Sequence, residues 1–168
     1  QNLKNIIGIF REPNCVIVDT SFLNTLSEKE LRSGFAEVIK HCLIRDKDMF
    51  DRVSKNHWAD NNWNEIVKHS ISIKSEVVSK DLKESGLRKI LNFGHTIGHA
   101  IETTYLDKNN KLLHGEAIAI GMICESFIAY HHKKIEKYEL EIISKYILKV
   151  YNLPKLDFLD TIIKNTYH

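Results

Sequence analysis

The chain has 168 residues, enough for about one domain with a single good core. Its 43% hydrophobic and 27% charged residues are those of an ordinary globular protein, and no apolar run reaches the roughly 20 residues of a membrane span. A net charge of +2, with both signs interspersed, excludes an electrostatic case for nucleic acid or an anionic membrane as partner.

Most of the chain has an apolar period near 3.6, which predicts a mainly α fold. The exception is Cys15-Val-Ile-Val-Asp19, short and β-branched after Pro13, which reads as one strand near the start, lacking a partner in this chain. Ser27 with Glu30 forms a capping-box pattern, opening a helix from Glu28 to about Arg45 whose apolar side is Phe35, Val38, Ile39, Cys42 and Leu43. A short helix follows around Asp46 to Ser54. Asn61-Asn62 breaks the pattern before a long helix, about Trp63 to Lys80, carrying Ile66, Val67, Ile71, Lys74 and Val78 on its apolar side. After a loop ending at Gly86, one helix is expected from about Leu87 to Tyr105. Asp107 to Asn110 is a polar turn. His114 opens a very apolar helix, Ala117 to Ala129, expected at the centre of the core, and helices at about Lys137 to Val150 and Asp157 to Lys164 finish the chain. The three cysteines, Cys15, Cys42 and Cys124, are odd in number and widely spaced, which argues against a disulfide framework and for a reduced, cytoplasmic setting. No signal-peptide pattern opens the sequence.

Chemistry concentrates between Arg88 and Glu116. His95 and His99, spaced i and i+4, share one helix face, a geometry that metals use. With nine histidines in the chain the spacing alone is weak, but Gly94 and Gly98 beside the pair point to a close approach to the backbone, by a ligand or by a tightly packed helix. His114 is a third imidazole, returned by the polar turn, or simply the start of a helix whose dipole favours Glu116. Glu37 sits among small and apolar neighbours and needs a cation, either Lys40 one turn on or a metal. Two histidines and a carboxylate would leave an open coordination position, as catalytic zinc requires. Arg88, Asn92, His95 and His99 step by four, three and four, a polar stripe without Lys/Glu padding that favours a lined cleft. Lys74, on an apolar side, either snorkels outward or faces that cleft.

These segments, with Lys4-Asn5, Pro13 to Asp19, Gly34 to Lys40, Asp81 to Arg88, Asn92 to Glu102 and His114 to Met122, occur in one order across about three quarters of the chain. In that order the sequence resembles the carboxy-terminal, mostly helical part of the 3-dehydroquinate synthases, within the sugar-phosphate cyclases. The resemblance implies a two-domain enzyme of which residues 1–168 are the helical metal- and substrate-binding domain. The amino-terminal NAD-binding α/β domain, whose Gly-rich fingerprint this sequence lacks, and an extreme carboxy-terminal segment are expected to lie outside it. It implies Glu37, His95 and His114 as ligands of zinc, cobalt or another divalent metal. His99 moves from the metal to the substrate side. Lys40, Lys74, Arg88, Asn92, His99 and Asn5 become substrate-binding, His99, Lys40 and Glu84 catalytic, and Lys4 cofactor-binding. The turn Asp107 to Lys111 is longer than the family pattern.

The implied reaction is the NAD- and metal-dependent conversion of DAHP, a phosphorylated sugar acid, into 3-dehydroquinate and phosphate in the shikimate route. The class is that of a carbon–oxygen lyase, acting as a homodimer when full length, with the 168 residues alone binding metal without turnover. Other readings are a different sugar-phosphate cyclase such as a 2-deoxy-scyllo-inosose synthase, a metal-dependent polyol dehydrogenase, or a non-catalytic metal-binding scaffold. The cations Lys74 and Arg88 with Asn92, which suit a substrate carboxylate, tip the balance to the first.

Overall fold

The computed structural model describes residues 14–106, 108 and 111–166. Within them the helices are α1 (Glu28–Arg45), α2 (Lys47–Lys55), α3 (Trp63–Lys80), α4 (His95–Tyr105), α5 (His114–His131), α6 (Lys137–Val150) and α7 (Leu159–Thr166), with 3-10 segments at Thr20–Thr25, Trp58–Asp60 and Leu87–Asn92. None of these helices is long and apolar enough to cross a membrane. No strand occurs among the described residues. The expected strand Cys15–Asp19 carries no regular structure, and its Ile17 is 88% exposed. The physical reason is that a β-branched run alone has no second edge to satisfy its amide and carbonyl groups.

The α1 start is as the sequence requires: Ser27 Oγ accepts from the Glu30 amide, and the Glu30 carboxylate accepts from the Ser27 amide at 3.1 Å. Its apolar stripe buries Phe35, Val38, Ile39 and Cys42, and burial pushes the Cys42 thiol up to about 12. Asp46 caps α2 by accepting from the Met49 amide. In α3 the buried face is Ile66, Ser70, Ile73 and Val77, not Val67, Ile71, Lys74 and Val78 as the pattern predicted. The face is turned by one residue because small Ser70 fits the inner side, leaving Ile71 at 45% exposure and Lys74 exposed.

The expected helix from Leu87 to Tyr105 is two elements. A 3-10 segment ends at Asn92, and α4 starts only after Gly94, whose φ of 78° is left-handed. Glycine alone adopts that conformation freely, so the break is encoded at Gly94 itself.

Helix α5 is apolar on all sides from Ala117 to Met122, where it is enclosed, while its last turns expose Phe127 and Ile128. One side, with Ile118, Ala119 and Met122, packs into a core with Phe35, Ile39, Trp58 and Ile147. The opposite side, with Ala117 and Ile120, packs into a second cluster with Ile101, Tyr105 and Ile162. Removing Ile118 down to alanine would cost about 2–5 kcal/mol on such a site. Helices α4 and α5 meet at a glycine seam filled by backbone and by the Ile118 and Met122 side chains. A Cβ on Gly121 would lie 2.0 Å from the Gly94 carbonyl oxygen, and one on Gly94 would lie 2.9 Å from the Ile118 oxygen.

Gly121→Ala is therefore expected to force the helices apart and to lower stability by at least about 1–3 kcal/mol. Gly34→Ala, in α1 with nothing within 4 Å of the added carbon, is expected to be neutral or to stabilise by up to about 1 kcal/mol. Urea midpoints of the two variants measure the difference.

Candidate functional site

Three elements converge beside this seam. Helix α1 delivers Glu37, Lys40 and His41 from successive positions of one turn. The Lys40 ammonium is almost wholly buried and lies 2.6 Å from Glu37 Oε2. Burial pushes Lys40 below its ordinary 10.5, with the nearby Lys74 charge adding to the fall, while Glu37 opposes it. Burial also works against the Glu37 carboxylate, but the hydrogen bond and charge from His95 and Lys40 outweigh it and bring Glu37 to about 2. A buried lysine without this carboxylate would be an uncompensated charge, so each group holds the other in place.

Helix α4 opens with His95. Its Nδ1 lies 3.2 Å from the Phe93 carbonyl oxygen, which can only accept, so Nδ1 carries a hydrogen and, in the neutral ring, Nε2 presents a lone pair. That Nε2 faces Glu37 Oε1 at 3.4 Å, and this buried oxygen has no hydrogen-bond partner. A carboxylate and an imidazole nitrogen this close call for a positive charge between them, supplied either by a proton on Nε2 or by a metal ion. Ligands at ~2.0–2.2 Å on a tetrahedral zinc lie roughly 3.3–3.6 Å apart. His114, at the first position of α5, has its Nδ1 3.0 Å from the Glu102 carboxylate on α4, which fixes the same tautomer and again leaves Nε2 as the ligand atom. One ligand atom from each of His95, His99 and His114 lies within 4.8 Å of the others. The three imidazoles thus fit a divalent metal; Glu37, expected as a ligand, lies outside this group of three and adjoins it through His95.

The position of His114 depends on α1 as well. Ser33 Oγ accepts from the Gly115 amide at 2.9 Å, and a Cβ on Gly115 would lie 1.9 Å from the Ser33 carbonyl oxygen. The long turn before His114 has residues 107, 109 and 110 outside the described set, yet His114 reaches the other imidazoles, its ring centroid 5.6 Å from that of His95.

Next to the imidazoles lies a cavity of about 210 Å³ lined by Glu37, Lys40, His41, Lys74, Glu84, Arg88, Leu91, Asn92 and His95. The loop after α3 shapes its outer wall. Both oxygens of Asp81 accept backbone N–H groups, from Ser85 at 2.9 Å, Gly86 at 2.8 Å and Arg88 at 3.0 Å. Glu84, held at a left-handed φ of 55°, accepts from Asn92 Nδ2 at 2.9 Å and pairs with Arg88 at 3.7 Å. A non-glycine residue in that conformation costs about 1–2 kcal/mol and is typical of a shaped site. A wider cleft of about 650 Å³, between residues 19–31 and 58–64, contains no imidazole and no ammonium among its walls. Charge and chemistry therefore single out the smaller cavity.

Of the residues singled out from the sequence, Glu37, Lys40, Lys74, Glu84, Arg88, Asn92 and His95 meet at this cavity, and His99 and His114 adjoin it through His95. The stripe on one helix is instead a wall built from a 3-10 segment and the start of α4. Asn5 and Lys4 lie outside the described residues. His41 was missed. It is 4% exposed, and neither ring nitrogen has a hydrogen-bond partner. Burial first, then the Lys40 charge, pushes it down to about 4, so it is a neutral imidazole at the cavity wall. The only signal in the sequence was a polar residue on the apolar side of α1.

Residues 34–164 match the family described as 3-dehydroquinate synthase C-terminal, and residues 1–33 match the 3-dehydroquinate synthase N-terminal family. A 3-dehydroquinate synthase of Geobacillus kaustophilus is 49% identical over 131 residues, 75% of this chain and 35% of the relative. One of Acetivibrio thermocellus is 40% identical over 165 residues, 95% of this chain and 45% of the relative. Among solved structures, a 2-deoxy-scyllo-inosose synthase complexed with carbaglucose-6-phosphate, NAD+ and Co2+ superposes with a TM-score of 0.79 at 27% identity, covering 97% of this chain and 46% of that one. A 2-epi-5-epi-valiolone synthase from Streptomyces hygroscopicus with NAD+ and Zn2+ bound gives a TM-score of 0.75 at 28% identity, covering 89% and 43%. The fold is that of the helical part of the sugar-phosphate cyclases. The chain belongs to the 3-dehydroquinate synthase family, and it spans less than half the length of these relatives.

Asp81 supplies a pH test of the loop. The N–H groups of Arg88, Gly86 and Ser85, in that order, hold its carboxyl well below the ordinary 3.8. A depressed folded value means stability that is complete above the unfolded value and is lost as pH falls from there through the folded one. Asp81→Asn is expected to lower the urea midpoint at neutral pH and to flatten the acid limb below about pH 4. An acid limb as steep as that of the unsubstituted chain would show that the loop does not rest on this carboxylate.

Proposed function

We propose that the chain is the metal- and substrate-binding part of a 3-dehydroquinate synthase, converting a phosphorylated sugar acid to 3-dehydroquinate and phosphate with NAD and a divalent metal. The observation that carries the reading is the cluster of three imidazoles with the Glu37 carboxylate 3.4 Å from His95 on one side, beside the lysine-lined cavity. Glu37, His95 and His114 are the proposed ligands of zinc or cobalt, metals held by two of the fold's solved neighbours. When bound, the metal supplies Lewis-acid polarisation of a substrate oxygen, and NAD, held mainly outside these residues, takes and returns the hydride.

The chain's own groups bind and orient. Lys40, Lys74 and Arg88 place three cationic groups around the cavity, enough for a substrate carrying both a phosphate and a carboxylate. Lys40 is dry and fixed by Glu37, whereas Lys74 is exposed and adapts to its partner. Asn92 and Glu84, already hydrogen-bonded together, offer a donor and an acceptor to hydroxyls at the wall. His99, beside His95, is placed to hold or move a proton on the substrate side. Locking a multiply charged substrate in one pose supplies much of the rate in such reactions. Turnover, in this reading, needs the remainder of a protein more than twice this length. Full-length homodimerisation and a cytoplasmic setting, in keeping with three free cysteines, complete the proposal.

Zinc titration of the chain followed by calorimetry is expected to give one tight site. His95→Ala and His114→Ala should weaken it by at least about tenfold, and Lys74→Ala should leave it unchanged while weakening inorganic phosphate. The 168 residues alone are expected to give no 3-dehydroquinate. A longer protein carrying them is expected to form it from DAHP and NAD, and preference for a sugar phosphate without a carboxylate would favour a different cyclase. Zinc binding indifferent to both histidines would overturn the metal assignment.

A further inference from the structure

Helix α4 begins with an electrostatic deficit. Its N-cap, Gly94, has no side chain to offer the first amides, and its first turn contains no acidic residue. Helices normally place a carboxylate or a capping oxygen there, because the exposed N–H groups and the dipole leave the end positive. The first residue of this helix is His95, whose ring faces Glu37 and leaves the helix's own amides uncapped.

The missing acid comes from another helix. Glu125, on α5 three turns beyond His114, accepts from the Gly94 amide through Oε2 at 2.8 Å. Its other oxygen is buried without a hydrogen-bond partner. A half-satisfied buried carboxylate is a standing cost in an interior and is tolerable only where its charge is compensated nearby. The positive end of α4 is that compensation. The contact lands on the one residue of the turn that is left-handed, and Met122 and Ile118 crowd the same residue from the α5 side.

We infer that Glu125 is a positioning residue for the metal centre: by clamping the Gly94 amide it fixes the turn from which His95 is presented towards Glu37 and His114. The chain of contact runs from Glu125 through Gly94 to the next residue in sequence, His95, whose ring is held by the Phe93 carbonyl on the other side of the same turn. One helix thus contributes a ligand at its first residue and, through Glu125, the support for the ligand opposite. The inference rests on the metal reading above.

Glu125→Ala and Glu125→Gln, with Val53→Ala in the main core as a control for lost stability, separate positioning from mere folding. Zinc affinity is measured by chelator competition well below each melting temperature, with amide hydrogen exchange at Gly94 as a readout that needs no metal. Glu125→Ala is expected to weaken zinc about tenfold or more and to speed Gly94 exchange. Glu125→Gln, which keeps an acceptor oxygen, is expected to recover most of the Gly94 protection and part of the affinity. Val53→Ala is expected to lower the melting temperature without moving zinc affinity. Zinc affinity in Glu125→Ala equal to that of the unsubstituted chain, or weakened no more than in Val53→Ala, overturns the inference. If the unsubstituted chain binds no zinc, the metal reading fails. Gly94 exchange then judges the clamp by itself, and unchanged exchange in Glu125→Ala overturns that too.

Discussion

The rest of the structure depends on the close approach of Gly121 in α5 to the Gly94 backbone at the start of α4. Where Gly121 meets the Gly94 carbonyl there is room for no carbon atom on either side, so the two helices are set at a distance decided by backbone atoms. Side chains hop between rotamers, and a contact made through them carries that freedom into whatever they support. A contact between backbones carries none. His95 starts one of these helices and His114 starts the other, so the distance between the imidazoles inherits the stiffness of the seam. Ser33 and Gly115 repeat the device between α1 and α5 and bring Glu37 into the same frame.

Around this frame the charges are arranged in pairs with unequal roles. Glu37 and Lys40 are each costly to bury and are stabilised by one another. Glu37 turns one oxygen to the lysine and keeps the other for the imidazoles. Glu84 divides itself in the same way between Asn92 and Arg88, and Asp81 gives both oxygens to the loop that carries them. The outcome is a cavity in which Lys40 and Arg88 are oriented before any anion arrives, which lowers the ordering cost of binding.

The helices were largely legible in the sequence, because capping residues and apolar periods are local signals. Ser27 with Glu30, and the very apolar α5, led to the observed elements directly. Two misplacements have physical causes. By its pattern Gly94 reads as a glycine inside a helix, but its left-handed backbone ends one element and begins another, and the helical period continues across it undisturbed. The α3 face was set one residue off because Ser70 is small enough to be buried, and a pattern of large apolar residues cannot register that. The expected strand failed because pairing is a property of two segments, of which one was in view. In the site, residue type and spacing singled out Glu37, the imidazoles, Lys74, Arg88 and Asn92, and the resemblance added Glu84, whereas the pairing of His114 with Glu102 and the burial of His41 depend on contacts between helices.

The contrast between seam and wall bears on how such a domain diversifies. Positions where backbone touches backbone accept nothing larger than glycine and are closed to drift. Leu91 and His41, by comparison, line the cavity with side chains, and His41 comes with two ring nitrogens that have no hydrogen-bond partner. A lineage can therefore retune what the cavity admits by exchanging these residues while the imidazole scaffold stays untouched. New substrate preferences on this fold are to be sought in its lining, at positions that a search for shared motifs passes over.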